Sequence, residues 1–210
     1  MTTPGQAPVA EAAERSHLAL RRAVMDVAVS LLRAGVLSRS GHADLSARVG
    51  PDVVLLTALS RRRDLGPDDL AVVRLDGTVV EGDLAKQSAE MVAAHIAVYR
   101  ARPQAGAVIH THSPNLLAFA LAGRPLPVRY EPLAGLGQAE EVPVVRGPSS
   151  VADAVVALIG ERPGTQAVLL AGHGVLAFGP DTEAAVSLLV ALEEAAEAEI
   201  RAAVLGFSAG

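Results

Sequence analysis

Apolar positions recur along this chain in two rhythms, one helical and one alternating. From about Glu11 to Gly35 they fall at Leu18, Leu20, Val24, Val27, Ala28, Leu31 and Leu32, the spacing of one helix face, and Gly35 reads as the stop. Short β-type runs follow: LSARV, DVVLLTAL, DLAVVRL and TVVEG, with Asp76–Gly77 marking a hairpin turn between the last two. Helical spacing returns from Ser88 to about Arg100. Then come an AGAVIHT strand, a helix from Ser113 with Pro114 in its first turn, and the PLPVRY and EVPVV runs. A helix from Ser149 to Ile159 leads to the AVLLA and GVLAF strands. A final helix, rich in Ala and Glu, runs from about Asp181 to Val204.

Strands and helices mix in an order that is not strictly alternating. That predicts an α/β fold, a central mixed sheet covered by helices on both faces. No repeat, linker or low-complexity tract divides the chain, so the expected organisation is a disordered lead at 1–9 and a single domain at 10–210. Half of the 210 residues are apolar but only 2% are aromatic, which leaves Ala, Val and Leu to build the core. There is no cysteine, hence no disulfide framework, thiolate site or cysteine nucleophile. The formal charge of −5 argues against nucleic acid as a partner, since phosphate contacts need clustered Lys and Arg. The start, MTTPGQAPVAEAAERS, lacks a basic region followed by an apolar one, and no apolar run approaches the roughly 18 residues that span a bilayer. The expectation is a cytoplasmic protein with no membrane contact.

Chemistry concentrates in AVIHTHS, residues 107–113. Side chains alternate along a strand, so His110 and His112 project to the same side, as two imidazoles must to share a metal ion. Two imidazoles buried together disfavour each other's protonation, which a metal or an acid would compensate. His173 stands between two glycines in VLLAGHGVLAFG, where a tight turn can aim its ring; an exposed turn histidine is the plainer reading. Three imidazoles leaving room for substrate form a recognised catalytic metal set. Upstream, KQSAEMVAAHIAVYRARP contains Ser88 and Glu90, which by themselves are an ordinary helix start. His95 and Tyr99, four apart on one helical face, are by themselves packing residues with polar tips.

Taken in order, SAE, the His and Tyr of one helix, RARP, AVIHTHS and the distant GHGVLAFG resemble the class II aldolase/adducin family, with fuculose-phosphate and ribulose-phosphate aldolases and epimerases among its members. The likeness extends back through GHADLSARV, VVLLTALS and LGPDDLAVVRLDGTVVEG and covers roughly residues 10–205. It implies a three-layer α/β/α domain with a mainly antiparallel sheet. It implies His110, His112 and His173 as ligands of a divalent metal, most often zinc, with manganese or iron as alternatives. Glu90 is implied as the acid/base residue beside the metal. The resemblance also implies a C4 homotetramer with active sites at subunit interfaces, to which a neighbouring subunit lends a tyrosine. Tyr130 is the nearest candidate, and packing beside Pro127 is its plain alternative.

The family's sugar-phosphate aldolases hold phosphate with a Gly-Asn pair, a Ser-Gly pair and paired serines. Here those places read Ala43–Asp44, Leu59–Ser60 and Gln87–Ser88. An aspartate repels a dianion, and the lost glycines remove close backbone approach. Asp44, Ser60, Ser88 and His42 are therefore the candidate substrate-binding residues, and the expected substrate is a non-phosphorylated hydroxy- or keto-carbonyl compound. Arg61, Arg62 and Arg63 either serve a carboxylate or form a solvated turn. The expected activity is that of a metal-dependent lyase, an aldolase or a decarboxylase. The alternatives are an epimerase, a dehydratase or an iron-dependent oxygenase on the same fold, and an adducin-like assembly domain without catalysis.

Overall fold

The computed structural model describes residues 7–38, 41, 43–57, 69–138, 141–146 and 150–206. The first helix, α1 (Ala7–Arg33), begins inside the expected lead and ends as the spacing foretold. Gly35, at φ 72°, takes the left-handed turn that other residues resist. Val36 N then donates to Leu31 O and Gly35 N to Leu32 O, closing a Schellman motif.

Eight strands form the main sheet: β1 (Ala43–Gly50), β2 (Val53–Thr57), β3 (Leu70–Arg74), β4 (Val79–Glu81), β5 (Ala107–Thr111), β8 (Val144–Val145), β9 (Ala167–Leu170) and β10 (Gly174–Gly179). Their order across the sheet is β4-β3-β2-β1-β5-β10-β9-β8. Among the described residues only β8 and β9 pair in parallel. The predicted Asp76–Gly77 hairpin is present: Gly77 has φ 96°, and Thr78 N donates to the Asp76 carboxylate at 2.8 Å. The PLPVRY and EVPVV runs instead yield short pieces. β6 (Leu126–Pro127) pairs with β7 (Glu141–Val142) in a separate two-stranded sheet, and a five-residue helix, α4 (Glu131–Gly135), stands between them.

Alternation along β5 divides the core in two. Ala107 and Ile109 enter a cluster with Val24, Leu31, Leu116 and Leu189, which belongs to α1, α3 (Pro114–Ala122) and α6 (Thr182–Val204). Val108 enters the cluster on the other side with Ile96, Val98, Val155 and Ile159, from α2 (Ala89–Ala101) and α5 (Val151–Glu161). The protein is thus a three-layer α/β/α domain around a mixed, mainly antiparallel sheet. Helix ends follow the sequence signals. Ser150 caps α5 by accepting from Asp153 N, and Asp181 caps α6 by accepting from Ala184 N.

Antiparallel pairing also decides where chemistry can gather. β1 and β10 flank β5 and run against it, so their first residues meet its last: Ala43 and Val175 are both Cα partners of Thr111. One end of the sheet therefore collects the start of β1, the end of β5 and the β9–β10 turn.

Candidate metal centre

His110, His112 and His173 all come to that end. One ligand atom from each lies within 4.8 Å of the others, and no further histidine or carboxylate joins the group among the described residues. Ring centroids are 5.2 Å apart for His110–His112, 4.7 Å for His110–His173 and 5.1 Å for His112–His173. His110 is fully buried on β5, on the α2 side of the sheet, and its Nδ1 lies 3.0 Å from Val175 O. A carbonyl can only accept, so Nδ1 carries the proton and Nε2 keeps the lone pair. Burial, reinforced by the neighbouring His173, His112 and His95, holds His110 well below its usual pKa, so the ring is neutral and fit to ligate.

Two glycines make the convergence possible. Gly172, at φ 73°, turns the chain between β9 and β10. Gly174 lets β10 start directly against the site: a Cβ there would stand 2.4 Å from Thr111 O and 2.9 Å from Cδ2 of His112. Sequence reading noticed the pair but not that they do different work. The set suits a divalent ion: three neutral-capable imidazoles, no thiolate, and one ring already oriented through its second nitrogen.

The other candidate residues divide. Asp44 is on β1 as the Cα partner of His110 and is 5% exposed. Burial pushes its carboxyl up to about 6, with the His173 ring acting in the opposite sense. Ser88 precedes α2, buried, and its hydroxyl has no hydrogen-bond partner among the described residues. Glu90 is exposed in the first turn of α2 and is not among the converging ligand atoms. The residue that shares the buried face with His95 and Tyr99 is Met91, at i, i+4, i+8 spacing. Tyr130 is half-buried at the start of α4, where its hydroxyl donates to Glu194 on α6 at 3.1 Å. Within one chain it does not meet the histidines, and its packing against the α6-side core accords with the plain reading. His42, Ser60 and Arg61 to Arg63 lie outside the described residues.

A polar cluster that sequence reading left as packing lies behind His110. Ser46 Oγ stands 2.7 Å from Nδ1 of His95 and 2.9 Å from the Tyr99 hydroxyl, tying β1 to α2. The Arg48 guanidinium stacks 5.0 Å from the Tyr99 ring centroid and donates to Tyr99 O. Burial alone lowers His95 to about 3. Its folded value lies below 6.5, so on acidification the unfolded chain takes up that proton first. The stability His95 contributes is whole above pH 6.5 and is lost as pH falls toward 3, at a limiting slope of about 1.4 kcal/mol per pH unit. Acid unfolding of His95→Asn should be correspondingly shallower than that of the wild type. Equal slopes in the two proteins would refute a buried neutral His95.

Glu193 of α6 was also missed. It is buried, accepts from the backbone N–H groups of Asn115 and Leu116 and from Asn115 Nδ2, and so caps α3 immediately after the HTHS segment. Burial raises its pKa, and those hydrogen bonds oppose the rise.

Three imidazoles gathered at one end of a helix-covered sheet could hold a metal ion. The chain belongs to the class II aldolase and adducin N-terminal domain family, whose model matches residues 22–200, and is an enzyme of the class II aldolase-like type. It is 29% identical over 182 residues to a 5-methylthioribulose-1-phosphate/5-deoxyribulose-1-phosphate aldolase of Rhodospirillum rubrum, covering 87% of this chain and 80% of that one. It is 29% identical over 195 residues to the L-ribulose-5-phosphate 4-epimerase UlaF of Salmonella paratyphi C, covering 85% and 82%. The fold matches that of an L-fuculose 1-phosphate aldolase with a TM-score of 0.77 at 21% identity, over 90% of this chain and 88% of the other. No helix among the described residues is long and apolar enough to cross a membrane.

Proposed function

We propose that the protein is a metal-dependent lyase that makes or breaks a carbon–carbon bond beside a carbonyl, on a small phosphorylated hydroxy-carbonyl substrate. The observation that carries this reading is the convergence of His110, His112 and His173. The three rings would hold a divalent ion, zinc first among those suited to an all-imidazole set, with manganese or iron as alternatives. Such an ion supplies a Lewis acid for the carbonyl oxygen, where negative charge develops as the bond breaks. The chain itself contributes a neutral, oriented His110 and the cap that fixes the backbone after His112.

The phosphorylated substrate replaces the non-phosphorylated one expected from the sequence. That expectation set Asp44 against a dianion. Its carboxyl instead belongs to the histidine end of the sheet, as the cross-strand partner of His110 and within the field of His173. Both relatives named above act on sugar phosphates by name. Ser88, buried with an unengaged hydroxyl at the N-terminus of the 13-residue α2, supports the same choice. Because α2 and β1 run side by side from His95–Ser46 to Tyr99–Arg48, its N-terminus points to the histidine end.

The assay compares ketose 1-phosphates and 5-phosphates with their dephosphorylated counterparts under saturating zinc or manganese, reading aldehyde release. Preference for a phosphate ester by about 10²-fold or more in kcat/KM is the expected result, about 3 kcal/mol of differential binding. Equal turnover, or preference for the free sugar, would restore the earlier reading. Sugar inversion without aldehyde release would favour an epimerase, the second reading, which the Salmonella relative supports. In the same assay Glu90→Gln should lower kcat by about 10²–10⁴-fold, the usual span for a positioned acid or base, since Glu90 stands in the first turn of α2. Full activity in that variant would refute the acid/base role of Glu90. A homotetramer with Tyr130 lent between subunits remains part of this proposal, to be decided by light scattering.

A further inference from the structure

We propose that Glu193 is a positioning residue of the histidine centre: it anchors the backbone that follows His112 to α6, and so sets where that ring stands and how tightly the three histidines hold a divalent cation. The inference rests on the metal-centred reading above and adds to it a residue from outside the sheet.

The three histidines are not held alike. His110 lies inside the β5 ladder, with strands paired on both sides. His173 belongs to a tight turn that its own N–H closes by donating to Leu170 O at 2.9 Å. The registers of β5 with β1 and with β10 both end at Thr111, so His112 is the first residue past the ladder. The next regular element is α3, which starts two residues further on at Pro114. Whatever fixes the start of α3 therefore fixes the far side of His112.

A serine just before a helix ordinarily does this, by accepting from the second or third N–H of the first turn. Ser113 stands in that place but makes no capping bond, and its buried hydroxyl has no partner among the described residues. Pro114 has no N–H, and Leu117 N already donates to Ser113 O, which leaves the N–H groups of Asn115 and Leu116 to be met. Glu193 takes both, one with each carboxylate oxygen, at 2.8 and 3.0 Å, and accepts from Asn115 Nδ2 at 2.9 Å as well. Its own helix is firmly seated: Leu189, Leu192 and Ala196, within one turn on either side, are buried in the core. A local serine cap would keep α3 helical and do no more. A cap delivered by α6 also fixes α3, and with it His112, relative to the rest of the fold.

Capping and positioning are separable by experiment, because the Ser113 hydroxyl is available to cap. Glu193→Ala leaves Asn115 N and Leu116 N to that hydroxyl, so α3 should survive while its tie to α6 is lost. Zinc binding to the full chain, measured by competition with a chromophoric chelator, should weaken about 10–100-fold, the usual span for groups that orient a ligand. The visible spectrum of the Co2+-loaded variant should shift, while circular dichroism of the metal-free variant keeps the helix content of the wild type. Glu193→Gln, which retains one acceptor oxygen, is the second variant in case the first folds poorly, and it should lose affinity as well. Ser113→Ala should bind zinc as the wild type does. Wild-type affinity and an unchanged Co2+ spectrum in either folded Glu193 variant, or an equal loss in Ser113→Ala, would overturn the role of Glu193 alone. A wild-type protein that binds no divalent cation would overturn both this inference and the reading on which it rests.

Discussion

Replacing His112 by alanine should empty the protein of tightly held divalent metal and lower turnover by about 10³-fold or more. The estimate follows from what the ion supplies: several kcal/mol of stabilisation for developing charge, at 1.36 kcal/mol per tenfold in rate. The fold should survive. His112 lies just past the end of β5, half-buried, and its removal relieves the crowding of three rings whose centroids are all within 5.2 Å. Metal and fold are separable by calorimetry. In the wild type, zinc at a thousand times its dissociation constant should add about 4 kcal/mol to stability. In the variant that increment should vanish while the metal-free transition stays within a few degrees. Near-stoichiometric metal with full turnover in His112→Ala would remove the three-histidine centre from consideration.

Gly174→Ala should be nearly as damaging, and for a steric reason. Its backbone is not in the left-handed region, so a side chain is conformationally allowed. Space is what is missing. The new Cβ would sit 2.4 Å from Thr111 O, 2.9 Å from Cδ2 of His112 and 3.3 Å from Cε1 of His110. The first contact is to backbone and cannot swing aside, so the start of β10 has to move away from β5. That movement also pulls Val175 O from His110 Nδ1 and releases the ring. A loss of about 1–3 kcal/mol is expected from overpacking of this kind, with metal affinity falling at the same time. Gly160 is the control. It lies within α5, and a Cβ there meets nothing within 4 Å. Gly160→Ala should stabilise by up to about 1 kcal/mol. Equal behaviour of the two variants in urea would refute the close-approach argument.

The contrast between those glycines marks what the sequence could and could not reveal. Alternation along a strand fixes which side a residue faces, so His110 and His112 were readable as a pair. The glycines around His173 announced a turn. That Gly174 must be small depends on how near β10 comes to β5, a tertiary distance with no local signature. His95 and Tyr99 are four apart, and the same step backward reaches Met91, so that buried face was readable from spacing, while Glu90 stands beside it in the exposed first turn. Asp44 stands out in the sequence as a charge in an unusual position, but its neighbour depends on strand register, which pairs it with His110. α4 and the β6–β7 pair are too short for any periodicity to announce, and contacts made elsewhere hold them.

The strand that carries His110 is also the seam of the sheet. β1 to β4 pair with their neighbours in sequence, and so do β9 and β10. β5 alone joins these two groups, and both of its pairings are between segments distant along the chain. Local hairpins close quickly, while distant pairings first meet the entropy of long loops. A chain halted between those stages would carry two preformed half-sheets with open inner edges, rich in Val and Leu. Open edges of that composition are templates for pairing between molecules. Slow, cool synthesis of this protein, which allows β5 time to enter its slot, is therefore the route to soluble material.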